Sequence, residues 1–406
     1  MNTKIWLGSF SFRITPWRIP IIIIAVMGAA FMLYRLAVGL GPTTNMNDAW
    51  PFALWIAMDV GAGVALAASG FTMCILIYIL QLKGLKELSR QAVLAAWLGY
   101  IFVLVGLGMD VGLWYNWFRP MFNWGYTSIL FEVFLCVILY NTILFIEMLP
   151  VLSKRFNLEK VYKIAKKITI PAVIIGIMLS SLHQSSIGAL FLIAPSKMNP
   201  IWYSEWVAWM FLLSAMCVGP AIFVLEYLLV SKSYKMKFKT ELAAKLMKVS
   251  AGVAVAYVGV RLFYTASNGL LGTAFNGSLA SNAYLFELSL FVLGAIVIAM
   301  GPGRKSKGGM LLASCLLITG VLANRFGIIF AGFYESAPLG YIPTFIEIVV
   351  TLAIVCLKYL IFLFIVENFD VLPEEENNPY FENMRELEER RQQQGVPQPS
   401  YSVGSK

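Results

Sequence analysis

His183 is the only histidine in the 406-residue chain, and it stands in the run Ser180-Ser181-Leu182-His183-Gln184-Ser185-Ser186, midway along an apolar segment. An imidazole titrates near a pKa of about 6.5 and both donates and accepts hydrogen bonds, which suits it to proton exchange. Asp59, Asp110, Glu132, Glu287 and Glu347 lie in comparably apolar surroundings, as do Arg261 and Arg325. An ionisable group within a bilayer costs about 3 kcal/mol on insertion scales, so each needs a partner, a water-filled cavity or a task. Two arrangements meet that need. Either the arginines neutralise the carboxylates and hold helices together, or carboxylates and imidazole serve a quinone headgroup, whose two-electron reduction also takes up two protons. A sparser second set comprises Glu147, Glu226, Lys358 and Glu367. The three glutamates read as end residues reaching towards the interface, whereas Lys358 is deeper.

The same residue types exclude other chemistry. A b-type haem held between two imidazoles needs two histidines, so neither that haem nor a histidine-rich metal site can be built from this chain. Cys74, Cys136, Cys217, Cys315 and Cys356 each fall in a different apolar stretch. Clusters and structural zinc need grouped thiolates, so neither an iron–sulfur cluster nor a metal centre is expected, and the cysteines read as small packing residues.

The elements that position these groups follow from composition. Hydrophobic residues make up 59% of the chain and charged residues 13%, with mean hydropathy +0.75. That is the composition of an all-α integral membrane protein. A membrane-spanning helix takes roughly 20 apolar residues, and ten such stretches run over 19–40, 52–82, 92–114, 126–150, 168–194, 202–230, 246–272, 281–300, 310–333 and 343–367. The first is too long for a signal-peptide core and reads as a retained helix. Lysine and arginine concentrate in alternate connections: Lys83, Lys86 and Arg90; Lys154 to Lys167; Lys232 to Lys245; and Arg304 to Lys307. The remaining connections offer only Arg119 and Lys197, so both termini are expected in the cytoplasm. On that orientation His183 lies about 16 Å from the outer end of its helix at Ala194, and the first set of charges gathers on the periplasmic side.

Residues 1–18 are read as a cytoplasmic N-terminus, 19–367 as the membrane domain and 368–406 as an acidic, solvated cytoplasmic tail, without an apolar stripe to bury. Leu130-Phe131-Glu132-Val133 in the fourth stretch and Leu285-Phe286-Glu287-Leu288 in the eighth form a faint internal repeat. It suggests two parallel four-helix bundles, 52–194 and 202–333, flanked by the helices 19–40 and 343–367. Trp50, Trp55, Trp114, Trp117, Trp124, Trp202, Trp206 and Trp209 read as an outer interfacial belt. The small residues Gly61-Ala62-Gly63 and Ala67-Ala68-Ser69-Gly70 mark the second helix as central.

The segment Gly39-Leu40-Gly41-Pro42-Thr43-Thr44-Asn45-Met46-Asn47-Asp48, with Trp55 to Val60 and Gly63 to Ala67, resembles the polysulfide reductase membrane-subunit family, NrfD or PsrC. Thr127 to Val133 and the long run Leu182 to Lys197 strengthen the resemblance, which extends over the ten helices and, within the family, is to the HybB-like respiratory hydrogenase branch. The resemblance implies a multi-pass subunit of the bacterial inner membrane, free of its own redox centres. It would take electrons from a periplasmic, ferredoxin-like iron–sulfur partner and so from a hydrogenase, cytochrome c or molybdopterin module, and pass them to menaquinone. On that reading the quinone headgroup lies on the outer side among helices two to five, His183 hydrogen-bonds one carbonyl, Asp59, Asp110 and Glu132 donate protons or orient the headgroup, and Arg261 supplies a counter-charge. Glu147, Glu226 and Lys358 would belong to a proton route from the cytoplasm. An ion or solute transporter, or a passive anchor for a periplasmic enzyme, are the competing expectations.

Overall fold

Long apolar runs without neighbouring water must satisfy their backbone groups internally, and in this chain they do so as helices. A computed structural model describes residues 3–47, 50, 52–336 and 340–393. Asp48 of the resemblance segment, and the Gln/Pro/Ser-rich end from residue 394, lie outside the described residues. Ten helices are long and apolar enough to span a bilayer: α1 Arg18–Val38, α2 Ile56–Ile79, α3 Leu85–Asp110, α4 Ile129–Arg155, α5 Glu159–Ile193, α6 Val207–Ser233, α7 Thr240–Ser267, α8 Leu279–Ala299, α9 Lys307–Ser336 and α10 Phe345–Asn368. The chain is thus an integral membrane protein. Where boundaries depart from the apolar runs, as at α5, which begins nine residues before 168, a polar and basic first part continues the helix beyond the hydrophobic stretch. Hydropathy marks the membrane, whereas caps and turns end helices.

Helices α2 to α5 close one four-helix bundle and α6 to α9 a second, joined by α6 packing on α2 and α5. Helices α1 and α10 pack chiefly on each other and on α3, so both lie against the first bundle. As its small residues suggested, α2 is the most buried of the ten. It is also irregular: Ile56–Ala62 and Ile75–Ile79 are π-helical, as is Gly327–Ala331 near the end of α9. The repeat motifs face different neighbours: Glu132 on α4 contacts Ser186 of the following helix, whereas Glu287 on α8 contacts Tyr257 of the preceding one.

The first and last described segments both lie on the lysine-rich face, and both are docked there. Strands β1 Thr3–Leu7 and β2 Phe10–Ile14 form an antiparallel hairpin with Gly8 at positive φ in its turn. Asn368 at the end of α10 pairs with both Ser11 backbone groups, at 2.8 Å each. A further helix, α11 Pro379–Gln393, buries Pro379, Asn383 and Leu387. Its Glu386 meets Lys4 at 2.6 Å. For residues 368–393 the expectation of a solvated tail is therefore corrected: sparse apolar residues suffice because charged partners on the hairpin complete the contact. Glu367 is corrected too. It is fully buried and accepts from Arg18 at 2.6 Å and Tyr234 at 2.9 Å, so it does not reach the interface.

The tryptophan belt holds only in part. Trp114, Trp117, Trp124, Trp206 and Trp209 are exposed, but Trp50, Trp55 and Trp202 are buried. Trp55 joins the core between α1, α3 and α10, and donates to the Glu347 carbonyl at 3.3 Å.

Candidate functional site

In α5 the serine-rich turn around His183 faces inward, because small polar side chains permit close packing while bonding back to their own helix. The imidazole is fully buried against Tyr100 of α3, with ring centroids 5.8 Å apart. Neither ring nitrogen has a protein hydrogen-bond partner. The adjacent Gln184 donates to the Val64 carbonyl of α2 at 2.8 Å. Ser186, one turn further along, donates to Glu132 of α4 at 2.6 Å. His183 thus sits among α2 to α5, with Glu132 on the same wall.

On the other side of His183 lies a column of polar aromatic residues that sequence reading passed over. Tyr100 packs edge-on against Tyr140 of α4, centroids 4.6 Å apart, and shares a 3.4 Å contact with Ser180. Gly176 of α5 leaves the room: a Cβ there would lie 3.5 Å from the Tyr140 ring and 3.3 Å from the Glu147 carboxylate. Glu147 in turn is 3.9 Å from the Cys74 thiol. The column therefore runs Glu147, Tyr140, Tyr100, His183, from the lysine-rich half towards the opposite half. The signal available in the sequence was tyrosine and glycine inside apolar runs.

Asp59 and Asp110 form a separate group. Asp59 sits in the π-helical segment of α2, pressed against Gly106 of α3, where a Cβ would lie 2.3 Å from its carboxyl. One oxygen of each aspartate is buried without a hydrogen-bond partner. Arg35 of α1, within electrostatic reach of Asp110, is itself buried and donates to the Val111 carbonyl at 2.7 Å. Glu347 of α10 completes the group, accepting from Tyr341, from the Thr344 amide at 2.8 Å and from the Asn45 amide at 3.3 Å.

Arg261 lies elsewhere. It is in the second bundle, 3.7 Å from Glu287 and between the rings of Trp202 and Tyr284 at 5.2 and 5.0 Å. It is not a counter-charge among α2 to α5, because its charge is matched inside its own bundle. Arg325 is the cation that crosses between bundles: it donates to the Gly61 carbonyl of α2 at 3.3 Å and to Ser214 of α6 at 2.9 Å, and contacts Asn324. Asn324 also donates to Glu287 at 3.0 Å. A polar network therefore leads from Arg261 to the π-helical part of α2.

Residues 42–336 match the family described as Polysulphide reductase, NrfD. The chain belongs to that family. The matched segment of this NrfD-family protein holds both bundles but neither α1 nor α10, so the Asp59–Asp110 group draws Arg35 and Glu347 from outside it. A protein of Nitratidesulfovibrio vulgaris is 34% identical over 374 residues, 89% of this chain and 95% of its own. The "Probable Ni/Fe-hydrogenase 2 b-type cytochrome subunit" of Escherichia coli K12 is 24% identical over 366 residues, covering 89% of this chain and 93% of its own. The "Menaquinone reductase, integral membrane subunit" of N. vulgaris is 30% identical over 239 residues, 55% of each chain.

Of the residues expected on the lysine-rich half, Glu147 lines a cavity that opens on that face. Glu226 of α6 and Lys358 of α10 pair at 3.8 Å, and Lys358 lies beside Gly99 of α3. These two belong to the junction of both bundles with α10, a different place from the Glu147 column.

Proposed function

We propose that this chain is the quinone-reactive membrane subunit of a respiratory oxidoreductase complex, passing electrons from an iron–sulfur partner docked on the face opposite the lysine-rich loops to a menaquinone-type acceptor. The observation that carries the reading is His183: a fully buried imidazole with both ring nitrogens unpaired by protein. Buried polar groups are nearly always hydrogen-bonded, and leaving one unpaired costs about 1–3 kcal/mol. A quinone carbonyl accepting from the imidazole satisfies it. Family membership and the menaquinone reductase relative support the same acceptor.

The chemistry divides among the residues by position. Neutral His183 donates to one carbonyl oxygen and orients the ring. Glu132, held by Ser186 on the same wall, is the proton donor within reach of that site. Asp59 lies about 7.5 Å along α2 from Val64, the residue that anchors Gln184. From there Asp59 and Asp110 supply the second proton or take part in its replacement. Two electrons from the partner and two protons from these groups convert quinone to quinol. Tyr100 and Tyr140 link His183 to Glu147, so protons drawn through the Glu147 cavity reach the quinone from the lysine-rich side. The lysine-rich loops assign that side to the cytoplasm, and uptake there with electron entry opposite makes turnover electrogenic. Glu226 and Lys358 form a second candidate route at the bundle junction.

The E. coli relative's name includes a b-type cytochrome. In this chain a haem between two imidazoles has one histidine to use, and that ring is enclosed by Tyr100 and its neighbours. The donor set does not fit such a group, and no step is assigned to it.

A transporter is the second reading, favoured by the interrupted helices α2 and α9. Inverted or parallel repeats place such breaks at corresponding positions, yet α6, the counterpart of α2, is continuous.

The test is His183→Ala in the intact complex, with quinone reduction and quinone-analogue binding measured together. Loss of both by about 10²-fold or more is the expected result for a group that binds and orients the substrate. Undiminished turnover and affinity would remove His183 from the mechanism.

A further inference from the structure

On the lysine-rich face the open end of the first bundle forms a cavity of about 510 Å³, bounded by α2, α3, α4 and α5. Its rim carries Lys86, Arg90, Lys154 and Lys166, and its wall is apolar through Val93, Met148, Val151 and Ile170. The two halves of that lining belong to different environments. All four cations are exposed on the loop face, whereas Ile170, one turn along α5 from Lys166, is 62% exposed in a membrane-spanning stretch and so faces lipid. The cavity therefore connects the headgroup level with the hydrocarbon.

Asp370, just after α10, occupies part of the rim. Its carboxylate bridges Lys154 at 2.7 Å and Arg90 at 3.1 Å, so the rim already accommodates an oxyanion. It neutralises one charge of four. The ammonium groups of Lys86 and Lys166 have no ion-pair partner among the described residues, and Lys166 stands over the ring of Tyr162 at 5.8 Å. The hydroxyls of Ser89 and Thr169 also line it, each donating to a backbone carbonyl, of Lys86 and Ala165, at 2.8 Å. Unpaired cations at headgroup level and an apolar exit to the bilayer are the recognition elements of a phosphate ester carrying acyl chains.

We propose that this cavity binds an anionic phosphate group, with an anionic phospholipid headgroup as its source, its phosphate on Lys86 and Lys166 and its chains leaving past Ile170. The site shares its cavity with the proposed proton entry at Glu147 but uses Lys86 and Lys166 on the rim, and it stands or falls independently of the His183 chemistry.

The experiment is native mass spectrometry of the full-length protein extracted from membranes containing phosphatidylglycerol, or phosphatidylcholine only, in buffers with and without inorganic phosphate. The variant is Lys86→Gln/Lys166→Gln; both side chains are exposed and make no ion pair, so the fold does not depend on them. The wild type should retain anionic lipid in preference to phosphatidylcholine, and the variant should retain about 25-fold less, fivefold per lysine. Retention of inorganic phosphate in place of lipid, lost in the variant, would keep the anion site and assign it to free phosphate. Equal lipid retention by wild type and variant, or no preference for the anionic lipid, would overturn the proposal. Neither result bears on quinone reduction, so the two readings fail separately.

Discussion

Ser186 holds the Glu132 carboxylate with a 2.6 Å hydrogen bond, one helical turn from His183 on the same helix. The pairing turns two isolated polar residues into one wall. A hydrogen bond of this kind contributes about 0.5–1.5 kcal/mol. Glu132→Gln should lower quinone turnover by about 10²-fold or more, as loss of a general acid does. Ser186→Ala, which frees the carboxylate without removing it, should cost about tenfold. Steady-state assays on the complex decide it, and equal losses for both variants would mean that Glu132 only packs.

Gly106 and Asp59 define a second test. A Cβ at Gly106 would overlap the Asp59 carboxyl at 2.3 Å, and no flexible chain end is available to yield. Gly106→Ala should destabilise the protein by about 1–3 kcal/mol through overpacking. Adding Asp59→Ala should recover part of that loss. Thermal unfolding in detergent measures the cycle, and strict additivity of the two changes would show that the side chains do not meet.

The buried pair Arg18 and Glu367, at 2.6 Å, predicts an asymmetry. Removing either partner alone leaves an uncompensated charge and should cost about 3–5 kcal/mol. Replacing both, as Arg18→Met with Glu367→Leu, should restore most of the stability. A double variant as unstable as the singles would place the stabilisation in the neighbouring Tyr234 contact instead.

Arg325 predicts a connection between bundles. Arg325→Met removes the donors to Gly61 and Ser214. Hydrogen–deuterium exchange should then rise in Ile56–Ala62, whose carbonyl loses its partner, and exchange in α1 should stay unchanged. Equal exchange in wild type and variant would sever the proposed link between the second bundle and α2.

The ten spans and their order were legible because bilayer thickness imposes a run length that composition exposes directly. The small residues of α2 correctly marked it as central, because close helix approach requires them. His183 packs among α2 to α5 because Gln184 and Ser186 beside it bond to α2 and α4, contacts that the sequence does not display. The sequence also did not separate Arg261 from Arg325. Depth along a helix follows from residue counting, but azimuth does not, and nearly uniform apolarity around a span erases the face-defining pattern. Tyr100 and Tyr140 escaped for the same reason, being aromatic among aromatics. The hairpin was readable in Ile5-Trp6-Leu7-Gly8-Ser9-Phe10-Ser11-Phe12, alternation around a Gly-Ser turn. The docking of α11 was not, because its contacts are with charges at the far end of the chain.

Asn368 grips the backbone of Ser11, and Glu367 grips Arg18, so the hairpin and the start of α1 are completed only by the end of α10. Those contacts must wait until α10, the ninth helix after α1, is in place. Assembly of this protein therefore has a built-in order: a nascent chain cut short before residue 367 has nothing to fasten Arg18 or the Ser11 backbone.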